Sequence, residues 1–298
     1  LDIGLLHLKL GNLRDSKDYL DEHLALTRRI SANPPKAYGL QVLGHWYLYQ
    51  GDYVRGRDTY LESLKLQCAL HSGSGRVAAE GALGLSLYHL GDLDQAQQRL
   101  ESAANRAGSI ANRRRLVEVL DMLGLVEIAL GQFDKGYQNL QKAVGIARKS
   151  EFYEGLAFGL AVLARASRLL GEFDRAYSDA AEAVDVAKER DLQMSLLWAR
   201  LEMGLIALAQ GDSKRALAEI KLSMALLPQA HQAWIGTEQV HCVYAKVLEG
   251  VDRFEDADQQ LDKAETIIAQ KADLITDPKQ RQSYLSFTRG LLSSVILH

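Results

Sequence analysis

The chain has 298 residues, of which 47% are apolar and 24% are charged, and its formal net charge is -3. This composition supports a large buried core and argues against a nucleic-acid-binding surface as the main role. No run approaches the roughly 18 apolar residues of a membrane helix, and no signal peptide is visible. The two cysteines, Cys68 and Cys242, suggest neither a disulfide framework nor a metal site, so we expect a reducing, cytoplasmic compartment.

A six-residue stretch recurs along the chain with a spacing of 40 residues. Its central copy is Gly131-Gln132-Phe133-Asp134-Lys135-Gly136, and a looser copy begins one residue late, at Asp252. The regular copies begin at Gly11, Gly51, Gly91, Gly131, Gly171 and Gly211. An internal period of this kind predicts a repeat protein built from one recurring supersecondary unit.

Each copy is expected to form a tight turn between two helices. Glycine enters the left-handed conformation without a Cβ clash, and residues such as Asp92 and Glu172 suit the start of the next helix. The residue two after the glycine is bulky at Leu13, Tyr53, Leu93, Phe133 and Phe173. The residue five after it is small, at Ser16, Gly56, Ala96, Gly136, Ala176 and Ala216, which lets the two helices approach closely.

A second small position precedes each turn by seven residues. Its occupants are Gly4, Gly44, Gly84, Gly124, Ala164 and Gly204. A glycine inside a helix costs about 1 kcal/mol relative to alanine, so its repetition at one phase needs a structural reason. The pattern predicts that the second helix of each pair crosses the first at this point.

The combination of small residue, turn glycine, bulky residue and small residue resembles the tetratricopeptide repeat. It is clearest at Gly44/Gly51/Tyr53/Gly56 and at Gly124/Gly131/Phe133/Gly136, although the usual period is about 34 residues. The resemblance implies a right-handed, all-α solenoid. Long-period repeats of this kind are similar to those in the sensor arms of signal-transduction ATPases and LuxR-type regulators, and in cell-polarity adaptors.

We predict about seven antiparallel helix pairs over residues 1–276, with turns near 11, 51, 91, 131, 171, 211 and 252, and a closing helix over residues 277–298. The closing helix is predicted from the helical spacing of Tyr284, Leu285, Leu291, Leu292, Val295 and Ile296. Links between pairs are expected at Asn33–Pro35, His71–Gly75, Gly108–Asn112, Lys149–Glu151, Glu189–Asp191 and Pro228. The first helix before Gly11 is short, so we expect this chain to be part of a longer protein that has further N-terminal domains.

The resemblance implies that the first helix of each pair lines the concave side of the solenoid. The inward positions lie six and three residues before the small position and one, four and five after it, on one helical face. From these positions the candidate partner-binding residues are Tyr38, Gln41, His45, Tyr49, Tyr88, His89, Glu118, Asp121, Phe158, Arg165, Arg168 and Trp198.

Aromatic residues and arginines on a half-exposed face are typical of binding hot spots. In the alternative interpretation, Phe158 and Trp198 pack against the next repeat, and Arg165 and Arg168 are solvated or paired with acidic residues of the fourth repeat, Glu118 and Asp121. The basic run Arg113–Arg115 stands at a helix start, where it either contacts an acidic partner or belongs to a solvated loop.

These observations favour a non-catalytic scaffold that binds a protein or peptide in its groove, within a larger signalling or regulatory protein. The alternative is a sensor domain in which the groove closes on a small molecule, either sugar-sized or anionic. No catalytic set, metal spacing or cofactor motif can be placed, so we predict no enzyme activity, no metal and no cofactor. We expect no direct binding to nucleic acid or membrane, and self-association is a further alternative.

Overall fold

The computed structural model describes the backbone of residues 1–230 and 236–297 and the side chains of residues 1–227 and 236–290. Over these residues the chain forms fifteen helices and no strand. The helices are α1 Asp2–Leu10, α2 Leu13–Arg29, α3 Asn33–Tyr49, α4 Tyr53–Ala69, α5 Gly73–His89, α6 Leu93–Ser109, α7 Arg113–Ala129, α8 Phe133–Lys149, α9 Tyr153–Leu169, α10 Phe173–Glu189, α11 Gln193–Ala209, α12 Ser213–Ala230, α13 Thr237–Glu249, α14 Phe254–Asp273 and α15 Pro278–Leu297. They form the predicted right-handed solenoid of seven pairs followed by one closing helix.

The predicted turn glycines all take the left-handed conformation. Their φ angles lie between 74° and 79° from Gly11 to Gly211, and each glycine N–H donates to a carbonyl of the preceding helix. In the seventh pair Asp252 takes the left-handed conformation instead, with φ 58°, which explains why this copy arrives late. Asp52 and Asp92 cap the following helices by accepting hydrogen bonds from Arg55 N and Gln95 N.

The turns between successive pairs are less apparent in the sequence, because non-glycine residues form them. Left-handed φ angles of 51° to 55° occur at Ser31, His71, Ala111, Glu151 and Asp191. The predicted links at Asn33–Pro35 and His71–Gly75 are therefore partly wrong, since Asn33 and Gly73 already begin helices α3 and α5. Proline is tolerated there because the first turn of a helix leaves its N–H groups unpaired in any case. The predicted link at Pro228 is also wrong, since the backbone of α12 continues through this residue to Ala230.

The second small position is crowded, as the sequence predicts. A Cβ atom at Gly124 would lie 2.5 Å from Leu140 Cγ, and one at Gly204 would lie 2.6 Å from Ile220 Cδ1. The contact partner comes sixteen residues after the glycine in each case. Where the repeat has Ala164 instead of glycine, the residue sixteen positions later is the small Ala180. Close packing of first and second helices therefore depends on complementary size at these two positions.

The C-terminal helices return to the second and third pairs. The Tyr284 ring of α15 lies 6.0 Å from the Tyr53 ring, and the Phe287 ring lies 5.2 Å from the Tyr88 ring in an edge-to-face contact. A single apolar cluster includes Tyr53, Leu83 and Tyr284. The predicted contribution of Leu291, Leu292, Val295 and Ile296 to this packing lies outside the described side chains. These contacts place the closing helix against the second and third pairs.

At the N-terminal end, α1 exposes Ile3, Leu6 and Leu10, each by more than half. Self-association through this face stays a prediction. Within the described residues, no helix has both the length and the apolar character needed to cross a membrane.

Candidate functional site

The concave groove contains two adjoining compartments. The first, here named the apolar cavity, has a volume of about 220 Å³ and is lined by residues of α3, α5, α7, α9, α11 and α13. The second, the polar compartment, has a volume of about 600 Å³ and lies between α1, α3, α5, α7 and α9. The two share the side chains of Tyr49, Leu85, Met122 and Phe158, so they lie directly beside each other in the groove.

The structure brings eleven of the twelve sequence-predicted residues to this groove. Those on the apolar cavity are Tyr49, Tyr88, His89, Phe158, Arg165 and Trp198. Those on the polar compartment are Tyr38, Gln41, His45, Tyr49, Glu118, Asp121 and Phe158. Arg168 lines neither compartment but lies behind the cavity wall. Not all of the aromatic side chains are half exposed, since Tyr88 is buried under Phe287 and His89.

Arg168 forms a buried ion pair with Glu202. Its Nε donates to Glu202 Oε2 at 3.0 Å, and both side chains are almost inaccessible. The alternative pairing of the arginines with Glu118 or Asp121 is therefore wrong for Arg168, because an acidic residue on α11 lies closer than those on α7. The pair adds no net charge to the cavity.

Arg165 lies on the cavity wall without an acidic partner. The residue is only 8% exposed, and its Nε has no hydrogen-bond partner. Among the described residues no carboxylate lies within 4.0 Å of its guanidinium group. Burial raises the pKa of the nearby Tyr88 hydroxyl, and the positive charge of Arg165 opposes this shift. Arg165 is thus not paired with Glu118 or Asp121, and only a small part of the residue is exposed.

In contrast, the two arginines of the polar compartment are neutralised, while Lys9, which lines the same compartment, is exposed and forms no ion pair with a described residue. Arg114 donates to Glu118 at 3.4 Å and to Glu154 at 3.0 Å, and Arg115 donates to Glu118 at 2.6 Å. The Arg114 guanidinium also lies 4.5 Å from the centre of the Phe152 ring. The basic run therefore belongs to the first turn of α7 and not to a solvated loop.

A buried acid lies in the same compartment. Asp121 is 2% exposed, its Oδ1 has no hydrogen-bond partner, and burial followed by the negative charge of Glu118 raises its pKa well above the ordinary value. The neighbouring Gln41 is satisfied, since its Nε2 donates to the Gly75 carbonyl at 3.1 Å.

Each compartment also contains one neutral histidine. Burial, followed by the charge of Arg115, lowers the pKa of His45 to about 4, and Nδ1 of this ring lies 2.7 Å from the Tyr60 hydroxyl. Burial, followed by the charge of Lys271, lowers the pKa of His89 to about 3, and its ring stacks on Tyr53 at 4.7 Å. Both rings are therefore uncharged near neutral pH.

Sequence reasoning missed several lining residues, of which Glu202 is the most informative. It lies two residues before the small position, where the equivalent residues in earlier repeats are Val42, Ala82, Met122 and Val162. Apart from Asp2 in the first repeat, Glu202 is the one charged residue among these equivalent positions, and this was the available signal. Arg165 likewise stands at a position where most repeats have leucine, as at Leu85, Leu125 and Leu205, although His45 is another polar exception.

The described part of the chain contains no cluster of three or more histidine, cysteine or acidic side chains that could hold a metal ion. Its groove combines apolar surface, aromatic rings and a few fixed charges. This arrangement is typical of sites that bind a ligand and orient it through a small number of polar contacts.

Several solved structures resemble nearly the whole chain. A Rap protein complexed with competence and sporulation factor superposes with a TM-score of 0.69 at 15% identity, over 98% of this chain and 85% of that one. The chain has the tetratricopeptide-repeat fold. The Rap conjugation gene regulator of plasmid pLS20, in complex with the Phr* peptide, matches with a TM-score of 0.69 at 15% identity over 90% and 74% of the two chains. Aspartyl phosphate phosphatase F from Bacillus subtilis matches with a TM-score of 0.61 at 16% identity over 94% and 75%.

No family model and no curated protein sequence matches this chain. Tetratricopeptide-repeat proteins at such low identity share the fold, and the fold alone does not decide the function. Because one of these structures carries the name of a phosphatase, the absence of catalysis stays a prediction for this chain.

Proposed function

We propose that this chain is a non-catalytic binding module that holds an extended peptide segment in its concave groove, as part of a larger signalling or regulatory protein. The observation that carries this proposal is that the two compartments adjoin at Tyr49 and Phe158, which line both. A groove that offers an apolar cavity beside a wider polar space suits a chain that alternates apolar and polar side chains.

The physical basis is that the two compartments bind different parts of the peptide. An apolar side chain in the cavity gains about 25 cal/mol for each Å² of apolar surface removed from water. Polar groups of the same peptide remain in the wider compartment, where Glu118 and Asp121 supply acceptors. Two of the similar tetratricopeptide-repeat structures contain bound factors, one of them named as a peptide, which supports this use of the groove.

The proposal is tested by selecting nine-residue peptides on phage, joined to the coat protein through their C-termini, and measuring the selected sequences as C-terminal amides by calorimetry. Phe158→Ala removes a side chain that both compartments share, and we expect it to weaken binding by at least about tenfold. Tyr177→Ala is the matched control, because Tyr177 is an exposed aromatic residue on the second helix α10. Failure to select any peptide, or equal affinity of the Phe158→Ala variant, would contradict the proposal.

A second candidate function is a small-molecule sensor, which the limited volume of the apolar cavity favours. In this case the selection should yield no peptide, and a small molecule should be detected in native mass spectra of the purified protein. The same molecule should raise the thermal midpoint of the parent and not of the Phe158→Ala variant.

A further inference from the structure

One charged group in the apolar cavity has no ion-pair partner among the described residues of the free protein. The cavity wall exposes far more apolar than polar surface, and its ionisable residues include His89, Arg165 and Glu202. His89 is neutral, with a pKa that burial lowers to about 3. Glu202 is neutralised by Arg168 at 3.0 Å. Arg165 therefore leaves one uncompensated positive charge on the wall of the cavity.

Glu238, the acidic residue on the neighbouring helix α13, does not neutralise this charge. Glu238 lies in the same region, since its charge raises the pKa of Tyr88, but it forms a buried ion pair with Lys271 at 2.7 Å. Among the described residues, no carboxylate forms an ion pair with the Arg165 guanidinium group, and no aromatic ring forms a cation–π contact with it.

A buried N–H donor that has no acceptor is unfavourable, most of all in a charged group. Arg165 is only 8% exposed and its buried Nε has no partner, so this donor is unsatisfied in the free protein. A ligand anion in the cavity supplies the missing acceptor. A carboxylate matches the planar fork of arginine, since two parallel hydrogen bonds form between them.

We infer that the apolar cavity binds an apolar group that carries a free carboxylate, with the carboxylate on Arg165 and the apolar group between Tyr88, Phe158 and Trp198. This inference rests on the proposed function and specifies the chemistry of the bound end. The carboxylate belongs either to the last residue of a peptide or to a free apolar acid, because both present the same chemistry to Arg165.

The test compares acids with their neutral amides in calorimetry. The probes are 4-phenylbutyrate and 4-phenylbutanamide for the free acid, and acetyl-Gly-Ser-Ala-Phe as acid and as amide for the peptide terminus. In the parent, at least one acid should bind tenfold or more tightly than its amide. Preference for phenylbutyrate alone assigns the site to a free acid, and preference for the peptide acid alone assigns it to a C-terminus. Equal affinity of acid and amide in both pairs, or no binding by any probe, overturns the inference.

Three variants separate ligand recognition from a structural role. Arg165→Gln should lose the preference for the acid, and Arg165→Lys should retain part of it because the charge remains. Arg175→Gln is the control, because Arg175 is an exposed arginine on α10 that pairs with Glu172 across a half-exposed surface. It should bind the acids as the parent does, and a loss of the acid preference in this control would overturn the assignment to Arg165.

The thermal midpoint of the free protein supplies an independent readout. If the charge of Arg165 serves to bind an anionic ligand and does not stabilise the fold, the Arg165→Gln variant should unfold at the same temperature as the parent or higher. A large fall in its midpoint, or an unchanged acid preference, would show that Arg165 has a structural role and overturn the inference. Selected peptide amides that bind the parent and not the Phe158→Ala variant would still support peptide binding, so the two proposals can fail separately.

Discussion

The two compartments of the groove treat buried charge in opposite ways. In the polar compartment, Arg114 and Arg115 are neutralised by glutamates, and the buried ionisable group without a partner is an acid, Asp121. In the apolar cavity the acid Glu202 is paired and the buried group without a partner is a base, Arg165. Of these two buried groups only Arg165 keeps its charge, since a buried acid becomes neutral by taking up a proton and an arginine does not. The polar compartment also has the exposed Lys9 on its wall.

The largest expected effect comes from the helix that lines both compartments. A Cβ atom at Gly124 of α7 would lie 2.5 Å from Leu140 Cγ, so Gly124→Glu adds bulk and a buried charge at a crossing point. We expect a loss of several kcal/mol, about 3–5 from the unpaired charge alone. Urea denaturation measures this loss as a decrease in the free energy of unfolding.

Gly145→Ala is the control for this change. No atom lies within 4 Å of a Cβ at Gly145, although it too lies inside a helix, α8. The alanine should stabilise the chain by about 0.5–1 kcal/mol because it restricts the unfolded state. An unchanged midpoint for Gly124→Glu would refute the crowding at the helix crossing.

Removal of one acid from each compartment compares them directly. Glu202→Ala leaves Arg168 buried without its partner, next to the already unpaired Arg165, and should cost about 3–5 kcal/mol. Glu118→Ala removes the partner of Arg114 and Arg115, which remain accessible to water, and should cost under about 1 kcal/mol. The free energies of unfolding at neutral pH measure both. Similar losses for the two variants would contradict the distinction between buried and accessible ion pairs.

The smallest expected effect concerns Asp121 and its dependence on pH. Burial raises the pKa of this carboxyl group in the folded protein, so the folded state binds a proton that the unfolded state has released. Stability contributed by Asp121 is therefore present below the unfolded pKa, about 3.9, and falls as the pH rises toward the folded pKa.

Asp121→Asn removes this titration. The variant should match the parent near pH 4 and be the more stable of the two at pH 7, as judged by urea denaturation at both pH values. A variant that is less stable than the parent at pH 7 would show that Asp121 is ionised and paired in the folded protein.

The sequence-based predictions differ in success for a physical reason. Gly44 and Gly51 were correctly interpreted because their roles depend on the local backbone and on a neighbour sixteen residues away or fewer. The predicted links His71–Gly75 and Gly108–Asn112 contain the left-handed residues His71 and Ala111, but the sequence did not identify these two residues, because a left-handed backbone at a non-glycine residue leaves no compositional signal.

The candidate site also has features that the sequence predicted and features that it did not. The resemblance to tetratricopeptide repeats, which implies that the first helices line the groove, together with helical periodicity placed eleven of the twelve predicted residues on the groove. It did not predict that Arg168 would turn away to Glu202, or that Arg165 would be left alone, since this pairing joins positions on successive first helices that occupy different phases of the repeat.

The sequence by itself determined the period, the helix pairs, the turns and the face that lines the groove, because each follows from contacts within one repeat. Only the tertiary structure decided that Tyr284 and Phe287 return to Tyr53 and Tyr88. The physical reason is that this return depends on the small rotation between neighbouring repeats, summed over the whole solenoid. No single repeat determines that sum, and the pairing of Arg168 with Glu202, which leaves Arg165 unpaired, likewise joins two different repeats.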